Sequence, residues 1–218
     1  MKVLRLLAGG AAHGLVERVR PAFEAATGCT IEGTFSAVGA MRDRLVAGAP
    51  ADVMILSRAL IDGLVKSGHV VASSVTDVAR VATAVAVRQG DPLPAIADKA
   101  ALRAALLAAD AIHFPDPAQA TAGSHFAKVM KELGISDQVS GRLKLAPNGN
   151  TAMRALAASA AARPIGCTQE TEIRATPGVV LVGPLPPGCD LVTTYTAAVT
   201  ATAQAPAEAA EFIARVVS

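Results

Sequence analysis

Aromatic residues are scarce in this sequence: they make up 3% of the chain, and Trp is absent. The core must therefore be filled mainly by Ala and Val, which suits helices packed closely on sheets. Charged residues are also few, at 17%, whereas hydrophobic residues reach 52%. This balance excludes a disordered chain and allows a large core.

Three further features are missing, and each excludes a class of function. No basic run exceeds two residues and the net charge is only +2, which argues against nucleic acid as a partner. No run of 18 apolar residues occurs, so no transmembrane helix is predicted. The three cysteines, Cys29, Cys167 and Cys189, fit no zinc spacing and are expected to be separate reduced thiols. We expect neither a metal nor a cofactor.

The first residues bear on the compartment. Lys2 and Arg5 flank a short apolar run without a clear cleavage site, so Val3 to Leu7 is interpreted as a strand rather than a signal peptide. The sequence as written therefore predicts a cytoplasmic protein. A periplasmic location is the alternative if a signal peptide has been removed.

Strand-like runs alternate with helical patterns along the chain, which predicts an α/β fold with open, mostly parallel sheets flanked by helices. The predicted strands include 3–7, 30–35, 52–56, 111–114, 141–147 and 164–168. The predicted helices include 12–27, 37–48, 58–69, 99–110, 124–135, 150–163 and 206–217.

Two long β-type runs, 79–88 and 191–201, are predicted to be crossings between two lobes. Lobe one would contain residues 1–81 and 195–218, and lobe two residues 82–194. In such a fold we expect the ligand in a cleft between the lobes, near the carboxyl ends of strands and the starts of helices. Helix starts present unpaired N–H groups, so a small anion is the expected ligand.

Several segments resemble the molybdate-type periplasmic substrate-binding proteins. They are "AFEAATG", "AGAPAD" before the strand "VMIL", "DPAQATAG", "PIGCTQETEI" and "TTYTAAV". The resemblance implies the two-lobed type 2 periplasmic-binding fold, in which each lobe is a mostly parallel sheet flanked by helices and two hinge crossings join the lobes. It also implies that Asp52 is a scaffold residue that holds amides of its turn.

The same resemblance implies a set of ligand contacts. The family holds its oxyanion with two Ser side chains, backbone amides and a Tyr. The Ser positions fall on Ala11 and Val38, the Tyr position on Gln169, and the amide positions on Ala122 and Thr151. Because three polar side-chain donors are replaced, a carboxylate is favoured over molybdate.

Other polar residues follow the same predicted strands and suit a carboxylate ligand that needs both donors and acceptors. Ser36, Ser124 and Asn150 are therefore added to the predicted contacts, with helix capping as the alternative for Asn150.

Two functions besides a solute-binding protein stay open. Aconitate isomerase has a similar fold and moves a double bond by proton transfer, for which His13 and His125 would be the catalytic residues, with Glu170 and Glu172 as further acid–base candidates. A cytoplasmic ligand sensor without catalysis is the third hypothesis. The expected partner is a small anion, together with an ABC permease if the protein is exported.

Overall fold

The computed structural model describes residues 2–218, so Met1, with which the predicted first lobe begins, lies outside the described residues. Contacts divide the chain into two units. Unit 1 runs as far as Arg80 and also contains Thr194–Ser218, whereas unit 2 is Val81–Thr193. No helix within residues 2–218 is both long and apolar enough to cross a membrane.

Strands and helices alternate along the described chain. The strands are β1 Lys2–Gly9, β2 Cys29–Ser36, β3 Val53–Ser57, β4 Thr76–Arg88, β5 Ala111–Pro115, β6 Leu143–Ala146, β7 Pro164–Gln169, β8 Val179–Pro184 and β9 Val192–Val199. The α-helices are α1 His13–Thr27, α2 Val38–Val46, α3 Arg58–Lys66, α4 Lys99–Ala108, α5 Thr121–Glu132, α6 Ser136–Val139, α7 Gly149–Ala157, α8 Glu170–Arg174 and α9 Pro206–Val217.

The sheet of unit 1 has the strand order β2-β1-β3-β9. β1 is parallel to β2 and β3, whereas β9 is antiparallel to β3. Every residue of β3 is buried, as expected for an apolar strand covered on both faces. Each parallel strand is followed by a helix, so the starts of α1, α2 and α3 lie at the carboxyl ends of β1, β2 and β3.

Asp52, which precedes β3, is a buried hub of hydrogen bonds in unit 1. Its Oδ2 accepts the N–H of Arg5 at 2.8 Å, and its Oδ1 accepts the N–H groups of Gln204 at 2.7 Å and Ala205 at 3.0 Å. Its carboxylate thus fixes β1 and the segment before α9. The resemblance had implied that Asp52 holds amides of its own turn. The observed amides lie outside that turn, so this detail of the prediction is wrong.

Unit 2 has the strand order β4-β7-β5-β6, with β8 also paired to β4. β5 is parallel to β6 and β7, whereas β4 is antiparallel to β7 and β8. Alternate residues of each strand face opposite sides, and each side has its own apolar cluster. The helices α5, α7 and α8 begin at the carboxyl ends of β5, β6 and β7.

Several predicted boundaries in unit 2 are wrong, and one helix was missed. α5 begins at Thr121 rather than residue 124, because Gly123 lets its first turn pack against the end of β5. α7 ends at Ala157 rather than residue 163, and the guanidinium of Arg88 donates to carbonyls of the following segment, at Ser159 and Ala161. The segment after β7 forms the short helix α8, which is not among the predicted helices.

Candidate functional site

The carboxyl ends of β1 and β2 bring predicted contacts of unit 1 together. Gly9 pairs with Ser36, so the two strands end at the same level. β1 continues through the short 3-10 helix Gly10–Ala12 into α1 at His13, and β2 leads through Ala37 into α2. Ala37 has no side chain able to cap α2, so the first turn of this helix depends on other groups for acceptors.

Val38 packs against the end of β1. A Cβ atom on Gly9 would lie 2.7 Å from Cγ1 of Val38 and 2.9 Å from Cε1 of Tyr195, so only glycine fits there. Val38, Tyr195 and Ala11 are all buried. The predicted contacts Ala11 and Val38 can therefore offer an anion only backbone groups.

His13 is the predicted residue of unit 1 that could transfer a proton. Its side chain is 47% exposed, and its Nε2 lies 3.8 Å from Oε1 of Glu17 on the next turn. The imidazole also meets the ring of Phe35 edge-on, with the ring centroids 4.5 Å apart. Phe35 is the neighbour of Ser36, so these contacts hold His13 beside the carboxyl end of β2.

The first turns of α5 carry two predicted contacts of unit 2. Ala122 is buried, whereas Ser124 is exposed. His125, on the same helix, has its Nε2 at 2.8 Å from the carbonyl oxygen of Cys189. A carbonyl only accepts, so Nε2 carries the proton and Nδ1 is the nitrogen left for other chemistry.

The start of α7 differs from the expected arrangement. Asn148, not Asn150, caps this helix, and its Oδ1 accepts the N–H of Thr151 at 2.9 Å. The hydroxyl of Thr151 accepts a hydrogen bond from Nη2 of Arg154 at 3.2 Å. The capping alternative for Asn150 is therefore wrong, and the predicted amide contact of Thr151 already has an acceptor within the chain.

Gln169 ends β7 and is almost fully buried. Its Nε2 donates to Oγ1 of Thr193 at 3.1 Å, while its Oε1 is buried without a hydrogen-bond partner among residues 2–218. This amide is anchored at one end and unsatisfied at the other, which suits a group that completes its hydrogen bonding when a ligand or water is present.

Glu172, on α8, is a buried acid at the junction of α7, α8 and β7. Oγ1 of Thr168 donates to its Oε2 at 2.6 Å, and the backbone amides of Gln169 and Asn150 also hydrogen-bond its carboxylate. Burial raises the pKa of Glu172 to about 7, although these three hydrogen bonds favour the charged form. A Cβ atom on Gly149 would lie 2.0 Å from Oε2, so the carboxylate needs glycine there.

The raised pKa of Glu172 predicts a pH-dependent stability. Between pH 4.5, the usual pKa, and about 7, the folded protein binds more protons than the unfolded chain. The free energy of unfolding should therefore fall by about 3 kcal/mol as pH rises through this window. Urea unfolding at pH 5 and pH 8 should show this fall in wild type and its loss in Glu172→Gln. Glu170→Gln, on the same helix, is the matched control, and equal pH dependence in wild type and Glu172→Gln would contradict the assignment.

The predicted site residues thus form one group in each unit. Ala11, His13, Ser36 and Val38 follow the ends of β1 and β2, whereas Ala122, Ser124, Asn150, Thr151 and Gln169 follow β5, β6 and β7. The prediction missed Asn148, although an Asn directly after a strand and before a helix is a capping signal. Within residues 2–218, no group of three His, Cys, Asp or Glu side chains is placed to hold a metal ion. The roles of the individual residues in binding stay predictions.

Comparison with known proteins identifies the family. A sequence profile described as bacterial extracellular solute-binding protein matches residues 4–218. The chain belongs to this family of solute-binding proteins. It is also 31% identical over 211 residues to an aconitate isomerase from a Pseudomonas species, covering 93% of this chain and 78% of that protein.

Solved structures confirm the predicted type 2 periplasmic-binding fold of this solute-binding protein. The periplasmic molybdate-binding protein of Azotobacter vinelandii matches with a TM-score of 0.79 at 18% identity, over 99% of this chain and 93% of that one. The sulfate-binding protein SubI of Mycobacterium tuberculosis matches with a TM-score of 0.78 at 20% identity, over 100% and 82%. The predicted resemblance to molybdate-binding proteins is confirmed with it.

Proposed function

We propose that this solute-binding protein binds a small organic anion with carboxylate groups, in preference to molybdate or sulfate. The observation that carries the proposal is the hydrogen bond from the Thr151 amide to Asn148. A tetrahedral dianion gathers two charges on four acceptor oxygens and needs N–H and O–H donors all round it, whereas a polycarboxylate spreads its acceptors over separate groups. Here one predicted donor is already used, and three family donor side chains are replaced by Ala11, Val38 and Gln169.

The substrate of the aconitate isomerase relative supports the same ligand class. Aconitate is an unsaturated tricarboxylate, and the aconitate isomerase is 31% identical to this chain. The molybdate- and sulfate-binding structures, at 18% and 20% identity, share the fold at a much greater sequence distance. The carboxylate is therefore the favoured ligand.

A thermal-shift panel tests this proposal. A ligand at 100 times its dissociation constant adds about 2.7 kcal/mol to the free energy of unfolding, which for a chain of this size raises Tm by roughly 5–10 °C. We expect such shifts with trans-aconitate, cis-aconitate or citrate, and smaller shifts with molybdate, tungstate or sulfate at equal concentration and ionic strength. A large molybdate shift without a carboxylate response would contradict the proposal.

A second candidate function is an allylic isomerase. A base would remove a proton from one carbon of an unsaturated polycarboxylate, the double bond would move, and an acid would return a proton at the other end of the allyl system. The observation that favours it is the exposed imidazole of His13 at the carboxyl end of β1, in a chain related to an aconitate isomerase.

Replacing His13 with Ala distinguishes binder from enzyme. In an isomerase, turnover should fall by roughly 100-fold or more while trans-aconitate still binds, because a general base is lost. In a binder, the substitution should weaken binding by about 1–3 kcal/mol. Proton NMR in D2O would follow both interconversion and deuterium uptake. His69→Ala is the control, since His69 lies in the turn after α3 and forms a hydrogen bond with Ser67. If wild type shows neither conversion nor deuterium exchange, the isomerase is excluded for the substrates tested.

The compartment and partner follow from the same proposal. Because the family is described as extracellular, the periplasmic alternative is favoured over the cytoplasmic prediction, with an ABC permease as the partner. Expression from the native gene followed by osmotic-shock fractionation would test this. Recovery only with the cytoplasmic fraction would favour the sensor hypothesis instead.

A further inference from the structure

We propose that Thr83 and Gln169 form a subsite for a hydroxyl group of the ligand, so that hydroxy-polycarboxylates bind more tightly than polycarboxylates without a hydroxyl. This inference rests on the proposed function and narrows its ligand class. It adds Thr83, to which the resemblance assigns no contact. Its structural basis is a pair of buried side-chain oxygen atoms that have no hydrogen-bond partner within residues 2–218.

Thr83 and Gln169 lie opposite each other on the adjacent antiparallel strands β4 and β7. The backbone of Thr83 points away from β7, because its N–H donates to the carbonyl of Leu191 and its carbonyl accepts the N–H of Leu185. Thr83 and Gln169 are therefore a non-hydrogen-bonded pair, in which the Cα atoms are only about 4.5 Å apart and the side chains are closest. Both side chains project from the same face of the sheet and lie side by side.

Each of these two side chains is buried and has one unsatisfied oxygen atom. Thr83 is 1% exposed and Gln169 is 3% exposed. Nε2 of Gln169 donates to Oγ1 of Thr193 at 3.1 Å, which fixes the amide group. Oε1 of Gln169 and Oγ1 of Thr83 have no partner in the described part of the chain. Because a buried polar atom without a partner is costly, two such atoms side by side indicate a group that joins them when a ligand is bound.

A hydroxyl group is the chemical complement of this pair. Its proton can be donated to Oε1 of Gln169, and its oxygen can accept the O–H of Thr83. An ionised carboxylate could accept from Thr83, but it has no proton to donate and would place a second acceptor against Oε1. Thr83, Gln169 and Thr193 are also uncharged, so they do not compensate for the burial of a carboxylate. The pair therefore favours the neutral group of a hydroxy acid.

The pair lies at the end of the sheet where an open α/β sheet binds its ligands. Gln169 is the last residue of β7, at the carboxyl end of that strand. Alternate residues further along β4 and β7 belong to the apolar cluster on which α5 packs. α5 begins at the carboxyl end of β5 after Ala120, which has no capping side chain, so its first N–H groups have no acceptor within the helix. A carboxylate at the start of α5 and a hydroxyl at the pair would thus lie on one face of the sheet.

Citrate and tricarballylate test the proposal, because they differ by a single hydroxyl group. Isothermal titration calorimetry at pH 8, where both are fully ionised, would give the two affinities. We expect wild type to bind citrate about tenfold or more tightly. This ratio should fall by about threefold or more in Thr83→Val and in Gln169→Met, since each removes one hydrogen bond to the hydroxyl. Thr83→Val should keep the fold, because Val is nearly isosteric and the substitution removes an unpaired hydroxyl.

Thr176→Val is the matched control. Thr176 is also buried in unit 2, but its Oγ1 donates to the carbonyl of Glu172 at 2.8 Å. This variant should lower Tm and leave the ratio of the two affinities unchanged. An equal fall of the ratio in Thr176→Val would overturn the proposal, as would an unchanged ratio in both Thr83→Val and Gln169→Met. If the ratio is unchanged and Thr83→Val also lowers Tm, the pair holds a bound water only.

Two outcomes in wild type separate the hydroxyl subsite from the proposed function. If citrate and tricarballylate bind with equal affinity, the carboxylate function stands and the subsite is refuted. The same holds if the aconitates bind and citrate does not. If wild type binds none of these polycarboxylates, the proposed function is wrong and the subsite is refuted with it.

Discussion

Replacing Asp52 with Ala should lower the free energy of unfolding by about 4 kcal/mol, because three backbone N–H groups lose a buried carboxylate. The three donors belong to Arg5 and to the adjacent residues Gln204 and Ala205, which lie far from Arg5 in sequence. Urea unfolding followed by circular dichroism at pH 7 would measure the loss.

Two variants sharpen this test. Asp52→Asn should lose less, since its Oδ1 can still accept the N–H groups of Gln204 and Ala205 while its Nδ2 faces the N–H of Arg5. Asp62→Ala is the control, because Asp62 is half exposed and pairs with Arg58 at the surface. A loss below about 1 kcal/mol in Asp52→Ala would show that these amides find other acceptors.

Gly123→Ala should also destabilise the protein, by about 4 kcal/mol, through a backbone clash rather than a lost hydrogen bond. A Cβ atom there would lie 2.1 Å from the carbonyl oxygen of Pro115 and 3.0 Å from the carbonyl carbon of Asp116. Both atoms belong to the backbone at the end of β5, so α5 must move away from the strand. Thermal unfolding would report the loss.

Gly14→Ala is the matched substitution in unit 1. Gly14 also lies in the first turn of a helix, but a Cβ atom there meets nothing within 4 Å. Because Ala favours the helix, this variant should be more stable by up to about 1 kcal/mol. Equal effects at Gly14 and Gly123 would mean that helix propensity, and not the approach to β5, controls both positions.

Elements with a strong local pattern could be predicted from the sequence. The apolar run after Asp52 predicted β3, which is buried along its length, and the helix predicted at 206–217 is α9 to the residue. The boundaries failed where tertiary contacts outweigh propensity. The Ala-rich segment after Ala157 favours a helix by composition. The helix α7 nevertheless ends at Ala157, and Arg88 donates hydrogen bonds to carbonyl groups of the segment that follows.

The features of the candidate site likewise divide into those that the sequence predicts and those that depend on tertiary structure. Strand ends and helix starts predicted which loops carry Ser36, Ser124 and Gln169. They could not predict that Glu172 would be buried and would accept three hydrogen bonds, two from β7 and one from α7. Nor could sequence alone show that Thr151 gives its N–H to Asn148, because two nearby Asn residues compete for the capping position and only the backbone geometry decides between them.

The three buried thiols can report local unfolding of the protein. Cys29 in unit 1 and Cys167 and Cys189 in unit 2 are all free and inaccessible, and burial raises the pKa of each. A maleimide or disulfide reagent can therefore reach a thiolate only after the surrounding structure has opened. With mass spectrometry to assign each label, the labelling rates at Cys29 and Cys167 would measure the local opening rates of the two units separately, without any introduced probe.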